Sequence, residues 1–254
     1  MKKLNLGALL IIAFNSIVLL IITSCGGSTT ETSTASTSED VEVITENAAA
    51  CIWDNVSVRD TPNEKGKYLT AISIGEMVTF IEEEKDTADK YIKVRLNDGT
   101  EGWARKDFVI PDATSYVFIN DTDVYTRPDA LTKADKKFSK YDIIAVISTK
   151  DDFAEIKGKR SEGKWIETAW VKISNLSRQK IDIASAKFIQ KALADPDDQA
   201  KAKGLEDILN NGDLSGSVFL SDLPEIISTL SGMLKEESEY ETDEDVAADS
   251  VSGV

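Results

Sequence analysis

Few side chains in this sequence are able to perform nucleophilic or acid–base chemistry. The 254 residues include no histidine, two cysteines and 45 aspartates and glutamates. Without histidine there is no Ser-His-Asp triad, no Cys-His pair and no imidazole zinc site. Glycoside hydrolysis needs two carboxylates across a cleft, and nothing singles out one pair among so many acids. The composition therefore predicts a protein that is not an enzyme and needs no metal ion or other cofactor.

One acidic segment, Asp195-Pro196-Asp197-Asp198, has carboxylates of the kind that bind calcium in a calcium loop. It lacks the alternating oxygen ligands, the central glycine and the closing glutamate that an EF-hand requires. Acidic residues around a proline are typical of the start of a helix. The segment therefore predicts a helix with Asp195 as the N-cap and Pro196 at its first position.

The candidate ligand-binding residues are aromatic, because large flat rings bind ligands at little cost in side-chain entropy. Trp103 and Trp170 are expected to fill the core more readily than to contact a ligand. Trp165 lies in the polar segment 161–165 and is the better candidate for exposure. The full candidate set is Trp53, Tyr68, Tyr91, Trp103, Tyr125, Trp165 and Trp170.

The net charge of −16 restricts the possible partners. Nucleic acids and anionic lipid surfaces are themselves negative, so both would be approached against electrostatic repulsion. The sequence therefore predicts no nucleic-acid partner.

The N-terminus has the pattern of a secretory leader. The basic segment 1–3 precedes 19 largely apolar residues, 4–22, and Thr23-Ser24-Cys25 follows. This pattern resembles the lipobox of bacterial lipoproteins. The resemblance implies a signal peptide over residues 1–24, acylation of Cys25 (for example by palmitate) and attachment to a membrane of the cell envelope through that lipid. The alternative is an uncleaved transmembrane anchor, since 19 apolar residues can just span a bilayer.

Cysteine usage is consistent with the lipobox. If Cys25 is acylated, Cys51 is a lone thiol, and without histidine to lower its pKa it is predicted to be inert. A Cys25–Cys51 disulfide stays possible only if the lipobox is misinterpreted.

Residues 25–50 are predicted to form a flexible tether. Within 28–40, nine of 13 residues are serine or threonine and none is a large apolar residue. Such a segment cannot bury enough apolar surface to offset the entropy of ordering it.

The next part of the chain predicts short strands that occur twice. Residues 91–96 alternate between apolar and polar side chains, and Asn97-Asp98-Gly99 is typical of a hairpin turn. Val58 and Pro62 recur at Val124 and Pro128, an offset of 66, and Trp103 recurs at Trp170, an offset of 67. The repeat predicts two small β-barrels, over residues 51–110 and 115–177, joined by residues 111–114.

Residues 56–110 resemble the bacterial SH3-like domain (SH3b). The motifs are Asn55-Val56-Ser57-Val58-Arg59-Asp60-Thr61-Pro62, Gly75-Glu76-Met77-Val78-Thr79-Phe80 and Gly99-Thr100-Glu101-Gly102-Trp103. The second copy departs from the pattern, with Tyr125, Tyr141 and Ala169 at the positions of Arg59, Gly75 and Gly102. The resemblance implies a non-catalytic binding module of cell-envelope proteins, with a wall peptide or a protein as its ligand.

Residues 178–235 predict a helical region, and 236–254 predict an acidic disordered tail. The last helix has an apolar stripe formed by Leu223, Ile226, Ile227, Leu230 and Leu234. This stripe is expected to pack on the other helices, and a partner helix or a membrane is the alternative.

Together these patterns predict a mainly β protein with a C-terminal α-helical region: two tandem SH3-like barrels, then about three helices. The predicted function is that of an envelope lipoprotein whose barrels bind a peptidoglycan peptide or an envelope protein. The alternative is a structural adaptor that holds an envelope complex together through its C-terminal helices.

Overall fold

The computed structural model describes residues 47–81 and 90–232. The predicted signal peptide, the lipidation site Cys25, most of the tether and the acidic tail lie outside these residues. In the part of the chain that the structure describes, no helix is both long and apolar enough to cross a membrane.

Fourteen strands in the described residues form two antiparallel sheets of seven strands each. The first β-domain comprises β1 (Ala48–Cys51), β2 (Val56–Arg59), β3 (Tyr68–Ile72), β4 (Met77–Ile81), β5 (Tyr91–Arg95), β6 (Glu101–Arg105) and β7 (Val109–Pro111). The second β-domain comprises β8 (Thr114–Phe118), β9 (Thr122–Tyr125), β10 (Lys133–Phe138), β11 (Ile143–Lys150), β12 (Phe153–Lys159), β13 (Ile166–Lys172) and β14 (Leu176–Ser177).

The two sheets have the same strand order. The first runs β3-β2-β6-β5-β4-β1-β7 and the second runs β10-β9-β13-β12-β11-β8-β14, so each strand corresponds to the one seven places later. Three helices follow: α1 (Lys180–Leu193), α2 (Asp198–Leu209) and α3, which is described over residues 223–232. The predicted fold class, mainly β with a helical C-terminal region, is confirmed.

The first β-domain begins earlier than the predicted boundary between tether and barrel, which lies between residues 50 and 51. Strand β1 begins at Ala48, inside the segment predicted as tether, and Ala49 and Ala50 are fully buried between β4 and β7. A strand of three alanines has no alternation of apolar and polar side chains, so periodicity does not reveal it. The connection between the domains is also shorter than predicted, because β7 ends at Pro111 and β8 begins at Thr114.

Each β-domain has its own apolar core. Alternate residues of the strands point inward, such as Val56 and Val58 of β2, or Ile144 and Val146 of β11. A third cluster lies between the domains, where Ala50, Ile52 and Ile110 pack with Ala145.

The helices pack on one another and on the second β-domain. Ile189 of α1, Leu205 of α2 and Leu223 of α3 are fully buried in one cluster with Val117 and Ile143. Ile226, Ile227 and Leu230 pack against the same cluster, so the described part of the α3 stripe packs on the other helices, as the favoured interpretation predicted. Leu234 of the predicted stripe lies outside the described residues.

The start of α2 differs from the prediction by two residues. Asp197, not Asp195, is the N-cap, and its side chain accepts a hydrogen bond from the Gln199 amide at 2.8 Å. Asp195 instead accepts from the Asp197 amide at 3.0 Å. The turn that Asp195 stabilises places Pro196 before the helix, and Asp197 has the extended backbone typical of an N-cap.

Candidate functional site

The candidate aromatic residues do not form one groove. Trp53 lies in the loop between β1 and β2, and Trp165 directly precedes β13. Trp165 is 80% exposed, as its polar segment predicts. The other candidates lie on strands of the two β-domains: Tyr68 on β3, Tyr91 on β5, Trp103 on β6, Tyr125 on β9 and Trp170 on β13.

The expectation that Trp103 and Trp170 fill the cores is wrong. In β6 the buried residues are Gly102 and Ala104, so Trp103 between them points to the outer face. The inner side has no room for a ring, because even a methyl group on Gly102 would come within 2.5 Å of Val58 Cγ1. Trp170 is likewise half-buried on the outer face of β13.

The strand register places Trp103 in a row of aromatic and cationic residues. Arg59 of β2 lies on one side of Trp103 and Lys93 of β5 on the other, and Tyr68 of β3 lies beyond Arg59. We call these four residues the Trp103 row. Tyr68 is 55% exposed, and the other three side chains are partly exposed.

Arg59 also fixes the loop that borders this row. Its Nη1 donates to the Gly66 carbonyl oxygen at 2.8 Å, and thereby ties the loop between β2 and β3 to the sheet. Since a guanidinium carries five N–H donors, one carbonyl acceptor leaves donors for a ligand.

On either side of the Trp103 row, the β5–β6 strand pair carries an arginine that is paired with an acidic residue. Arg105, opposite Tyr91, donates to Asp107 at 2.8 Å, and this hydrogen bond raises the pKa of the guanidinium. Arg95 forms a 2.6 Å ion pair with Glu101. Tyr91 therefore borders an ion pair, whereas the Trp103 row brings two aromatic rings beside Arg59, and we take the Trp103 row as the stronger candidate for ligand contact.

The equivalent row in the second β-domain has a different charge pattern. Trp170 lies between Tyr125 and Glu155, with Lys133 beyond Tyr125. Lys133 is paired with Asp123 at 2.7 Å, and this partner raises the pKa of the lysine. We call Lys133, Tyr125, Trp170 and Glu155 the Trp170 row. Glu155 occupies the position in this row that Lys93 occupies in the Trp103 row.

Tyr125 also has a packing role that Tyr68 lacks. Its ring meets Phe153 edge-on with centroids 5.1 Å apart, and the Lys172 ammonium lies 3.8 Å from the Phe153 centroid. The two rows therefore occupy equivalent strands but offer different chemistry.

A cleft of about 220 Å³ lies where the two β-domains meet α1. It contains Trp53, whose ring packs on Phe108 at a centroid distance of 5.2 Å. The Lys159 ammonium from the second domain lies 5.6 Å from the centroid of the Trp53 ring. We call this site the Trp53 cleft. Sequence reasoning identified Trp53 but missed Lys159, because no local pattern pairs residues more than one hundred positions apart.

Cys51 is fully buried beside this cleft. Its Sγ donates to the Trp53 carbonyl oxygen at 3.1 Å, and burial raises the pKa of the thiol to about 12. A thiol with that pKa is almost entirely protonated at neutral pH. This environment supports the prediction that Cys51 is inert.

Within residues 47–81 and 90–232, no group of three Cys, Asp or Glu side chains lies close enough together to bind a metal ion.

Comparison with known proteins identifies a family for part of the chain and distant likenesses among solved structures. No curated protein matches the chain. Two solved structures, NlpC2 and NlpC1 from Trichomonas vaginalis, are 11% and 10% identical, each with a TM-score of 0.23. The alignments cover 65% and 59% of this chain, and the chain spans about half the length of those proteins (55% and 54%). Likenesses this weak carry no argument about function. Residues 54–110, which form most of the first β-domain, match the family of the bacterial SH3 domain, as the sequence motifs predicted.

Proposed function

We propose that this protein is a cell-envelope lipoprotein, anchored through an acylated Cys25, that binds the peptide part of the cell wall. It acts as a binding module rather than an enzyme. The match of residues 54–110 to the bacterial SH3 domain supports an envelope role, and the lipobox pattern supports the anchor. The Trp103 row is the single observation that carries the binding proposal.

The chemistry of the Trp103 row suits a peptide with free carboxylates. Arg59 supplies positive charge beside Trp103, and charge-assisted hydrogen bonds to carboxylates are stronger than neutral ones. The rings of Trp103 and Tyr68 supply flat apolar surface for the peptide backbone and its aliphatic side chains. In a chain with a net charge of −16, this local positive charge favours an anionic ligand at one place.

The second β-domain has a supporting role in this proposal. Glu155 lies beside Trp170 and repels a carboxylate, so the Trp170 row does not suit the same ligand. The domain packs against both the first β-domain and the helices.

The adaptor function places the binding surface on the C-terminal helices. Ile189, Leu205 and Leu223 of those helices are fully buried in one cluster, whereas Phe188 of α1 is 49% exposed. Because most of the apolar surface of the helices is not available to a partner, we prefer wall binding to the adaptor function.

Wall binding is tested by pull-down of the full chain, purified in a mild detergent, on isolated wall sacculi. Trp103→Ala is expected to lower retention at least tenfold, because it removes the central ring of the row. Trp170→Ala is the matched control on the equivalent strand, and its retention is expected to stay within twofold of the wild type. Equal retention of Trp103→Ala and wild type would remove this face from the proposal and favour a protein partner.

The anchor is tested separately by labelling cells with palmitate. The wild type and Cys51→Ser are expected to incorporate the label, whereas Cys25→Ser is expected to lose it. Absence of label from the wild type would favour an uncleaved apolar anchor instead of lipidation.

A further inference from the structure

The Trp53 cleft is built by three separate parts of the fold. The loop after β1 contributes Trp53, the end of β12 contributes Lys159, and α1 contributes Gln190. Its walls include the side chains of Ile74 and Ile143, which are apolar. A ligand here would contact both β-domains and the helical region at once.

Three of the four charged groups that line the cleft are held by hydrogen bonds or ion pairs. Asp142 at its wall is 2% exposed and accepts hydrogen bonds from the Ser139 and Ser161 amides at 2.9 and 3.2 Å and from the Ser161 hydroxyl. Asp54 is paired with Lys187 at 3.5 Å, and Arg160 is paired with Glu167. Asp54 and Arg160 therefore contribute little net charge to a ligand. Burial raises the pKa of the Asp142 carboxyl, and the nearby Lys159 ammonium partly opposes this shift.

Lys159 differs from these groups. Among the described residues its ammonium makes a cation–π contact with Trp53 and has no carboxylate within ion-pair distance. The contact holds the ammonium over the Trp53 ring, in the lining of the cleft. An ammonium in this setting attracts an anion, since a partly desolvated charge interacts more strongly than one in water.

The size of the cavity limits the ligand. A volume of about 220 Å³ corresponds to about seven water molecules at about 30 Å³ each, which is enough for one or two amino-acid residues. Gln190 provides an amide that both donates and accepts hydrogen bonds, as a peptide group requires.

We propose that the Trp53 cleft binds the C-terminal residue of a short peptide. The terminal carboxylate pairs with the Lys159 ammonium, and a small apolar side chain packs against Trp53 and Ile74. The site is separate from the Trp103 row and does not depend on it. Wall peptides and protein C-termini share this chemistry, and they differ in the configuration of their residues.

Calorimetric titration of the full chain in mild detergent tests the proposal. The probes are N-acetyl-D-Ala-D-Ala, N-acetyl-L-Ala-L-Ala and the C-terminal amide of each. The acid of at least one pair is expected to bind at least tenfold more tightly than its amide, because only the acid carries the carboxylate. Preference for the D-peptide would support a wall peptide as the source, and preference for the L-peptide would support a protein C-terminus.

Two variants locate the binding. Lys159→Gln is expected to abolish the difference between acid and amide, whereas Lys157→Gln, the same change two residues earlier on β12, is expected to preserve it. Trp53→Leu is expected to weaken acid and amide alike, at least fivefold. Absence of binding by all four probes, equal binding of acid and amide, or equal effects of the two lysine variants would overturn the proposal.

Trp103→Ala separates this site from the proposed wall-binding face. It is expected to leave dipeptide binding within twofold of the wild type. A larger loss would mean that the dipeptides bind at the Trp103 row and would overturn the assignment to the cleft. A negative result in the sacculus pull-down would not affect the proposal for the Trp53 cleft, so the two proposals are tested independently.

Discussion

Tyr141 has a left-handed backbone conformation, with φ 74°, at the position where the first β-domain has Gly75, with φ 81°. The sequence repeat aligns these two residues at an offset of 66. A non-glycine residue there costs roughly 1–2 kcal/mol. Tyr141 offsets this cost because its ring is buried edge-on against Phe219, with centroids 4.9 Å apart. The turn is therefore kept in both domains with different side chains.

At the same scale, Gly75→Ala is expected to lower the free energy of unfolding by about 2–4 kcal/mol. An added Cβ would be strained at this φ and would lie 2.5 Å from Ile183 Cγ2 of α1. Gly99→Ala is the matched control, because Gly99 has φ 85° but open space around its Cα. That variant is expected to lose only about 1 kcal/mol in chemical denaturation. Equal losses would show that contact with α1 contributes nothing.

Cys51 provides a prediction about pH. Because burial raises the pKa of the thiol from 9.0 to about 12, the unfolded chain releases this proton first as pH rises. The contribution of the protonated thiol is therefore fully present below pH 9 and is lost between about pH 9 and 12. Between pH 8 and 10.5 the wild type is expected to lose about 2 kcal/mol of unfolding free energy more than Cys51→Ala does. Parallel pH profiles of the two proteins, measured by urea denaturation, would contradict this.

At the scale of the elements, the prediction from sequence succeeds where side chains alternate and fails where they do not. The strand at residues 91–96 and the apolar stripe of α3 follow from periodicity. Strand β1 does not, because alanine is compatible with a tether, a helix or a tightly packed strand. Whether Trp103 points inward or outward depends on which alternate residues of β6 face the core. The sequence alone does not show this, because it depends on the contact between Gly102 and Val58.

The start of α2 is a second case at this scale, since Asp195 and Asp197 are both plausible caps in the sequence. Asp197→Ala is expected to lower the free energy of unfolding by about 1 kcal/mol, because the Gln199 amide loses its acceptor. Asp195→Ala is expected to cost less, since Asp195 stabilises a turn outside the helix. Thermal denaturation of both variants decides the matter, and a larger loss in Asp195→Ala would restore the cap predicted from sequence.

For the molecule as a whole, the sequence indicated two barrels and a helical region as successive parts with a short linker. It gave no sign of how they join. The cluster between the domains includes Ile52, Ile110 and Ala145, which no periodic pattern relates. The ion pair between Asp54 and Lys187 links the first β-domain to α1. The Trp53 cleft exists only because of these contacts, and for that reason its cationic wall was not predictable.

The buried clusters between the parts predict that the two β-domains and the helices unfold together, although each β-domain also has its own core. Parts without a buried interface would unfold in separate transitions, whereas parts that share buried surface unfold cooperatively. Calorimetry is expected to show a single transition, with the calorimetric enthalpy equal to the van't Hoff enthalpy. Ile52→Ala removes a side chain that is 1% exposed between the domains and is expected to cost about 2–5 kcal/mol. Val218→Ala, at a site 52% exposed, is the control and is expected to change stability by no more than about 0.5 kcal/mol. Two resolved transitions in the wild type would show that the interface between the domains is too weak to hold the Trp53 cleft in one geometry.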